Sequence, residues 1–228
     1  MSKPRLHQAA TQDGSGVLRA ATVRSWINEM AREVSERRDY LTQLDAAIGD
    51  ADHGVNMDRG FTAAVEALDA LPGAGPGKLL RIAGDTLILR VGGAAGPLYG
   101  SGFRAAGASL GAARSVDGEA LLLAVRSGLA AIQQLGAAVE GDKTIVDAWA
   151  PAIAALEREL RSGGSTADAC DRAALAAADG AHMTVPMQAR KGRASYLGPR
   201  SVGHQDPGAT STAMLFAALA RAVRGLPT

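Results

Sequence analysis

An all-α fold is predicted by three features of the sequence. Hydrophobic residues make up 47% of the 228 positions but aromatics only 4%, so the core has to be built mainly from Ala, Leu, Val and Ile. Ala and Leu are strong helix formers, and small side chains let helices approach closely. Apolar residues recur at helical spacing, and no alternating pattern of strand length appears, which argues against a Rossmann or P-loop sheet.

The elements follow in order. Trp26, Ile27, Met30 and Val34 mark an amphipathic helix from about Val17 to Arg38, with Arg24, Arg32, Arg37 and Arg38 free to face water. A short helix over 42–48 opens with Thr42 and Asp45 in capping-box spacing and ends at Gly49. Met57, Phe61, Val65 and Leu68 form one face of a helix from about Gly54 to Leu71, and Pro72 to Gly77 form a loop. Helical stretches are then expected over 77–90, 97–113, 118–136, 144–162 and 166–179, with a last helix from about Ala209 to Val223. Glycine-rich or turn-forming junctions separate them: VGGAAGP at 91–97, Asp117–Gly118, GDK at 141–143 and SGG at 162–164. The total is about eight helices. Residues 181–208 are a long connection rich in helix breakers, of a length that in compact helical domains is functional or disordered. Residues 1–14 are polar and aperiodic and are expected to be flexible, with a single domain over 15–228.

Composition narrows the function. With 24 basic against 23 acidic residues the formal net charge is +1, so no basic face for nucleic acid or a membrane surface is expected. The single cysteine, Cys170, rules out an internal disulfide and a cysteine-rich metal site, and is expected to be a buried small hydrophobe. Neither a signal peptide nor an uncharged stretch near the roughly 20 residues of a membrane span is evident, so a soluble cytoplasmic protein is expected.

The densest chemistry lies in LDAAIGDADHG at 44–54, which gathers Asp45, Asp50, Asp52 and His53 around Gly49 and Gly54. Carboxylates so closely spaced repel one another, and oxygen ligands of this kind suit magnesium, manganese or calcium. Helix capping is the alternative for one or two of them, and the spacing does not fit an EF-hand loop. VGGAAGPLYGSG at 91–102 is a glycine-rich corner opening a helix, able to hold an anion on free amides or merely to permit close packing. It lacks the lysine-serine end of the Walker pattern. In GDKTIVD at 141–147, Thr144 and Asp147 have capping-box spacing with Lys143 just outside, and Ile145 is placed to line an apolar base pocket. GRASYLGPRSVGHQDPGATS at 192–211 combines Arg193, whose guanidinium fits phosphate oxygens, with a rigid DPG turn at 206–208. His204 there is a base by type alone, and no hydrolase triad is compelling. Together these pieces point to a metal-bound anionic nucleotide and phosphoryl transfer, which needs alignment and charge neutralisation more than covalent help.

At this point the chain resembles the nucleotide-binding L subunit of dihydroxyacetone kinases. The resemblance rests on LDAAIGDADHGVNM at 44–57, GGAAGPLYG at 92–100, GDKTIVDAW at 141–149 and the 192–211 block, in family order. It implies an eight-helix antiparallel barrel with ADP or ATP held at one end by interhelical loops. It also implies that Asp45, Asp50 and Asp52 bind two Mg²⁺ ions and, with Arg193, carry the catalysis. His53, Gly54, Val55, Asn56, Ala94, Ala95, Arg193, Asp206, Pro207 and Gly208 match nucleotide-contacting positions, and Gly136 and Ile145 match positions near the base. Ala95 departs from a common serine, which removes a hydroxyl contact, and Ile145 replaces a common methionine. The ketose-binding K domain is absent, so a separate K subunit is the implied partner. The donor implied is either ATP or a phosphotransferase-system phosphoprotein that recharges retained ADP. A nucleotide-binding regulatory or adaptor protein of a sugar-phosphorylation system is the alternative.

Overall fold

The computed structural model describes residues 18–225, so the expected flexible segment 1–14 lies outside the described residues. Within them the chain forms α1 (Ala20–Glu36), α2 (Arg38–Ile48), α3 (His53–Asp69), α4 (Pro76–Arg90), α5 (Ala95–Leu110), α6 (Gly118–Gly136), α7 (Val146–Arg161) and α8 (Thr166–Met183). A 3-10 helix (Arg193–Ser201) and α9 (Pro207–Arg224) complete it. A two-residue antiparallel pair, β1 (Leu18–Arg19) with β2 (Ser115–Val116), ties the start of α1 to the turn before α6.

The expected eight-helix barrel is corrected. The described residues hold nine α-helices and one 3-10 helix in a closed circuit. From α3 to α9 each helix packs on the next, and α1 closes the circuit against α9 and α3. The nine α-helices answer one to one to the nine helical spans expected above, which a total of eight undercounts; what the structure adds is the 3-10 helix, and it moves the start of one helix. The chain breaks for one residue at Arg37, and α2 then starts at Arg38, four residues before Thr42. Thr42 is therefore inside α2, where its hydroxyl donates to the Arg38 carbonyl (2.9 Å), and it caps nothing. The breaker-rich connection, for its part, is wound around Arg193–Ser201 into 3-10 turns that kink at Gly198 (φ 55°).

Both tryptophans lie where helices cross. Trp26 of α1 packs on Phe103 of α5 at 5.5 Å between centroids and donates its indole N–H to the Leu215 carbonyl of α9 (2.9 Å). Trp149 of α7 stands edge-on to Phe216 (5.5 Å) and donates to the Val125 carbonyl of α6 (3.1 Å). Elsewhere small residues set the spacing. Gly77 and Gly84 on α4 face Gly107 and Gly100 on α5, each pair seven residues apart along its own helix. A Cβ on Gly107 would lie 2.5 Å from the Gly77 carbonyl oxygen and 2.8 Å from the Arg81 amide nitrogen. No helix among the described residues is long and apolar enough to cross a membrane.

One buried cation positions the connection that carries Arg193. Lys143, in the left-handed region at φ 62°, is 1% exposed and sends its ammonium into the strap formed by residues 184–204. Nζ donates to the carbonyls of Thr184 (2.9 Å), Met187 (3.1 Å), Ser201 (2.8 Å) and His204. Burial pushes its pKa down, and the nearby Asp206 opposes that shift.

Two stability outcomes follow from these contacts. Lys143→Met leaves carbonyls without a donor, at ~1–3 kcal/mol for each buried unsatisfied group, and is expected to lower Tm by about 10 °C in thermal melts followed by circular dichroism. Gly107→Ala gains about 1 kcal/mol of helix propensity, but its methyl meets backbone that cannot swing aside, at a cost of about 1–3 kcal/mol or more. A net loss of stability is therefore expected in urea titrations.

Candidate functional site

Asp45 lies in the last turn of α2, where Gly49 ends the helix. A Cβ at Gly49 would collide with the Asp45 carboxylate, so glycine is needed there for steric reasons. The chain then reverses through Asp50–Ala51–Asp52. Ala51 sits at φ 62°, a conformation that costs a residue with a Cβ roughly 1–2 kcal/mol. The result is that one carboxylate oxygen from each of Asp45, Asp50 and Asp52 lies within 4.8 Å of the others. Asp45 is buried, Asp52 half-buried and Asp50 exposed.

Three contacts offset the repulsion. Asp45 Oδ2 accepts the backbone N–H groups of Asp52 (2.9 Å) and His53 (3.1 Å), so this carboxylate caps the next helix rather than its own. Arg193 Nε lies 2.9 Å from Asp50 Oδ2. Further positive potential comes from Lys143 and Lys191, which line the same cavity, and from helix starts, since the N-termini of α3, α5, α7 and α9 all border it.

That cavity has a volume of about 500 Å³. Of the residues singled out in the sequence, Asp45, Asp50, Asp52, His53, Asn56, Ala94, Ala95, Gly136, Ile145, Arg193 and Asp206–Gly208 line it. Gly54 and Val55 do not. A Cβ on Gly54 would run into the Arg38 carbonyl of α2, and Val55 is half exposed on the outer face of α3. No side chain caps α5 at Ala94, which leaves its first-turn amides without a side-chain acceptor. Asp206 caps α9 through the Ala209 amide (2.7 Å), and its own amide donates to Thr184 Oγ1 (2.9 Å). Asn56 is held by Arg59, whose guanidinium also donates to the Arg90 carbonyl at the end of α4 (2.8 Å). Leu98, Ile132, Leu135 and Ala138 join Ile145 in an apolar wall of the same cavity.

In GDKTIVD the capping box is half present. Asp147 accepts the Thr144 amide (2.7 Å) and the Gly141 amide (2.5 Å), whereas Thr144 Oγ1 accepts from Val146 (3.2 Å). His204 is exposed and absent from the cavity lining.

Lys143, Tyr99 and Lys191 also line the cavity and were not singled out as ligand contacts. Lys191 had a visible signal, a second cation two residues before Arg193. Tyr99 had none, because its hydroxyl partners lie more than a hundred residues away on α9. Burial pushes the Tyr99 phenol up, so it remains a neutral donor, and burial pushes the His53 imidazole down against the pull of Asp45 and Asp52.

In chemical terms the site offers a hard, anionic ligand set for a divalent cation. Beside it stand a guanidinium and open helix amides for phosphate oxygens, and an apolar wall for a flat ring. Residues 47–221 match the DAK2 domain family. The chain is 43% identical over 200 residues to the ADP-binding subunit DhaL of the PEP-dependent dihydroxyacetone kinase of Escherichia coli K12, covering 88% of this chain and 95% of that protein. It is 39% identical over 202 residues to the ADP-binding subunit DhaL of the PTS-dependent dihydroxyacetone kinase of Lactococcus lactis, covering 89% and 97%. Among solved structures, the dihydroxyacetone kinase of C. freundii in complex with AMP-PNP and Mg²⁺ superposes with a TM-score of 0.67 at 26% identity, over 97% of this chain and 37% of that longer one. The chain belongs to the DAK2 domain family of nucleotide-binding DhaL subunits.

Proposed function

We propose that this chain is the nucleotide-carrying subunit of a dihydroxyacetone kinase, holding ADP or ATP with Mg²⁺ and passing a phosphoryl group to a ketose bound on a separate K subunit. The observation that carries this reading is the three-carboxylate cluster sharing one cavity with Arg193 and an apolar wall, in a chain that spans nearly the full length of ADP-binding relatives. Those relatives are named as PEP- or PTS-dependent, which favours retained ADP recharged by a phosphoprotein over ATP as a consumed donor.

The residues present fit a divalent cation, since Asp45, Asp50 and Asp52 supply hard oxygen ligands and Asp45 keeps Oδ1 free while Oδ2 is taken by amides. When bound, Mg²⁺ supplies charge neutralisation at the phosphate oxygens. Arg193 and the first-turn amides of α5 bind and orient the phosphate chain, and the wall of Leu98, Ile132 and Ile145 excludes water around the base. The attacking hydroxyl belongs to the ketose, so acceptor choice rests with the partner.

Calorimetry of ADP with Mg²⁺ tests the site directly. Asp52→Ala is expected to weaken binding by about a hundredfold, equivalent to the loss of roughly 3 kcal/mol from a charged contact, with an unchanged circular dichroism spectrum. Wild-type protein that is folded yet binds no nucleotide with Mg²⁺ overturns the reading. Reconstitution with a K subunit is expected to yield ketose phosphate, from the phosphoprotein donor rather than from ATP.

Asp206 gives the site a pH signature. Burial pushes its carboxyl up to about 7, with the Ala209 amide and Lys143 opposing and the charges of Asp147 and Asp45 adding to the rise. The folded protein then keeps a proton that the unfolded chain has already released, so this group costs stability as pH rises from about 4 to about 7. Asp206→Asn retains an oxygen for the Ala209 amide. In melts with chelator present its Tm is expected to exceed that of wild type above pH 7 and to converge with it near pH 4.

A further inference from the structure

Behind the cavity, buried hydroxyls join the beginnings of three helices. His53 opens α3, Tyr99 lies in the second turn of α5, and Ser211 and Thr212 lie in the first turns of α9. Four contacts link them in a line. His53 Nε2 is 2.9 Å from Ser211 Oγ, Ser211 Oγ is 2.7 Å from the Tyr99 hydroxyl, the Tyr99 hydroxyl is 2.9 Å from Thr212 Oγ1, and Thr212 Oγ1 is 2.8 Å from the Gly208 carbonyl. Ser211 and Tyr99 also approach the same carbonyl more distantly, at 3.1 and 3.2 Å.

Two electronegative atoms this close need a proton between them, or their lone pairs repel. The proton directions can therefore be assigned from the carbonyl end. A carbonyl has no proton to give, so the contact with Gly208 consumes the proton of Thr212. Thr212 then has only lone pairs to offer Tyr99, so the phenol donates to it. Ser211 must in turn donate to the phenol, which leaves Ser211 as an acceptor toward His53. One assignment satisfies all four short contacts, and it requires a hydrogen on His53 Nε2. Among the described residues no protein group hydrogen-bonds Nδ1, and His53 lines the cavity.

We propose that Tyr99, Ser211 and Thr212 form a directional hydroxyl chain that fixes His53 as its Nε2–H tautomer and thereby presents Nδ1 to the ligand. Tyr99 is thus a positioning residue for the site. It acts through Ser211 and His53 and ties the acidic loop, the glycine-rich corner and the DPG turn into one unit. The neutral ring offers Nδ1 as a hydrogen-bond acceptor, suited to a ligand hydroxyl or a cation-bound water rather than to a phosphate oxygen. The consequence for ligand binding rests on the nucleotide reading above, but the tautomer is measurable without nucleotide, so the two fail separately.

The test is long-range ¹H–¹⁵N correlation on the full chain labelled at histidine nitrogen, at a pH where the ring is neutral, with His53 assigned by its loss in His53→Gln. The expected result is a protonated Nε2 and a bare Nδ1 in the wild type. In Tyr99→Phe the Ser211 proton is released to turn toward the imidazole, so a second population protonated at Nδ1 is expected. ADP binding with Mg²⁺ is expected to weaken about fivefold to tenfold, the scale of one hydrogen bond. A neutral wild-type ring protonated at Nδ1 overturns the proposal, as does a Tyr99→Phe spectrum in which His53 is unchanged. Ser211→Ala, which removes the partner of Nε2 outright, carries the same readout if the Tyr99 variant fails to fold.

Discussion

The constraint on which the rest of the structure depends is the mutual repulsion of three carboxylates held within 4.8 Å of one another. Water would screen them if they were spread over a surface, but Asp45 is buried and Asp52 half-buried. The surroundings therefore have to supply positive potential from fixed positions. Backbone amides of α3 take up one oxygen of Asp45, Arg193 stands against Asp50, and the starts of α3, α5, α7 and α9 are gathered at the same end of the circuit. An arrangement that makes this cluster tolerable also makes the cavity attractive to phosphate, because the same dipoles and guanidinium serve both.

The strap over residues 184–204 follows the same logic on a smaller scale. Its apolar anchoring is small, with Ala189, Ala194 and Leu197 clustered against Ile48 of α2. The rest of the hold is polar saturation: the Lys143 ammonium collects its carbonyls, Ser201 Oγ accepts the Ala189 amide (2.9 Å), and Thr184 Oγ1 accepts the Asp206 amide (2.9 Å). Each of those hydroxyls and the lysine is buried, so the bonds are made in a low-dielectric setting where they cannot be traded for water.

Helix positions were legible because periodicity and breakers are local properties. The spans expected for α4 and α6 match within a residue or so, and the glycine-rich corner, the DPG turn and the three acids all fall where the cavity is. What was illegible is long-range or conformational. Nothing in GDK states that Lys143 adopts a left-handed backbone and reaches carbonyls up to 61 residues away. Nothing around Thr42 shows that α2 begins at Arg38, which turned an apparent cap into an interior residue and freed Asp45 to cap α3. The 3-10 helix was missed for a related reason. A segment rich in Gly, Pro and Arg gives no apolar period, yet it winds into 3-10 turns once its ends are anchored.

The side chain of Arg193 is 68% exposed, and its pairing with Asp50 is made at the cavity mouth in nearly bulk dielectric. Such a pair is worth at most about 1 kcal/mol. The charge balance of the cleft can therefore be reset by rotamer hops of one arginine, which at exposed positions take picoseconds to nanoseconds. The helical frame need not move on that timescale. The strap supplies the arginine's fixed root, and the guanidinium alone supplies the motion.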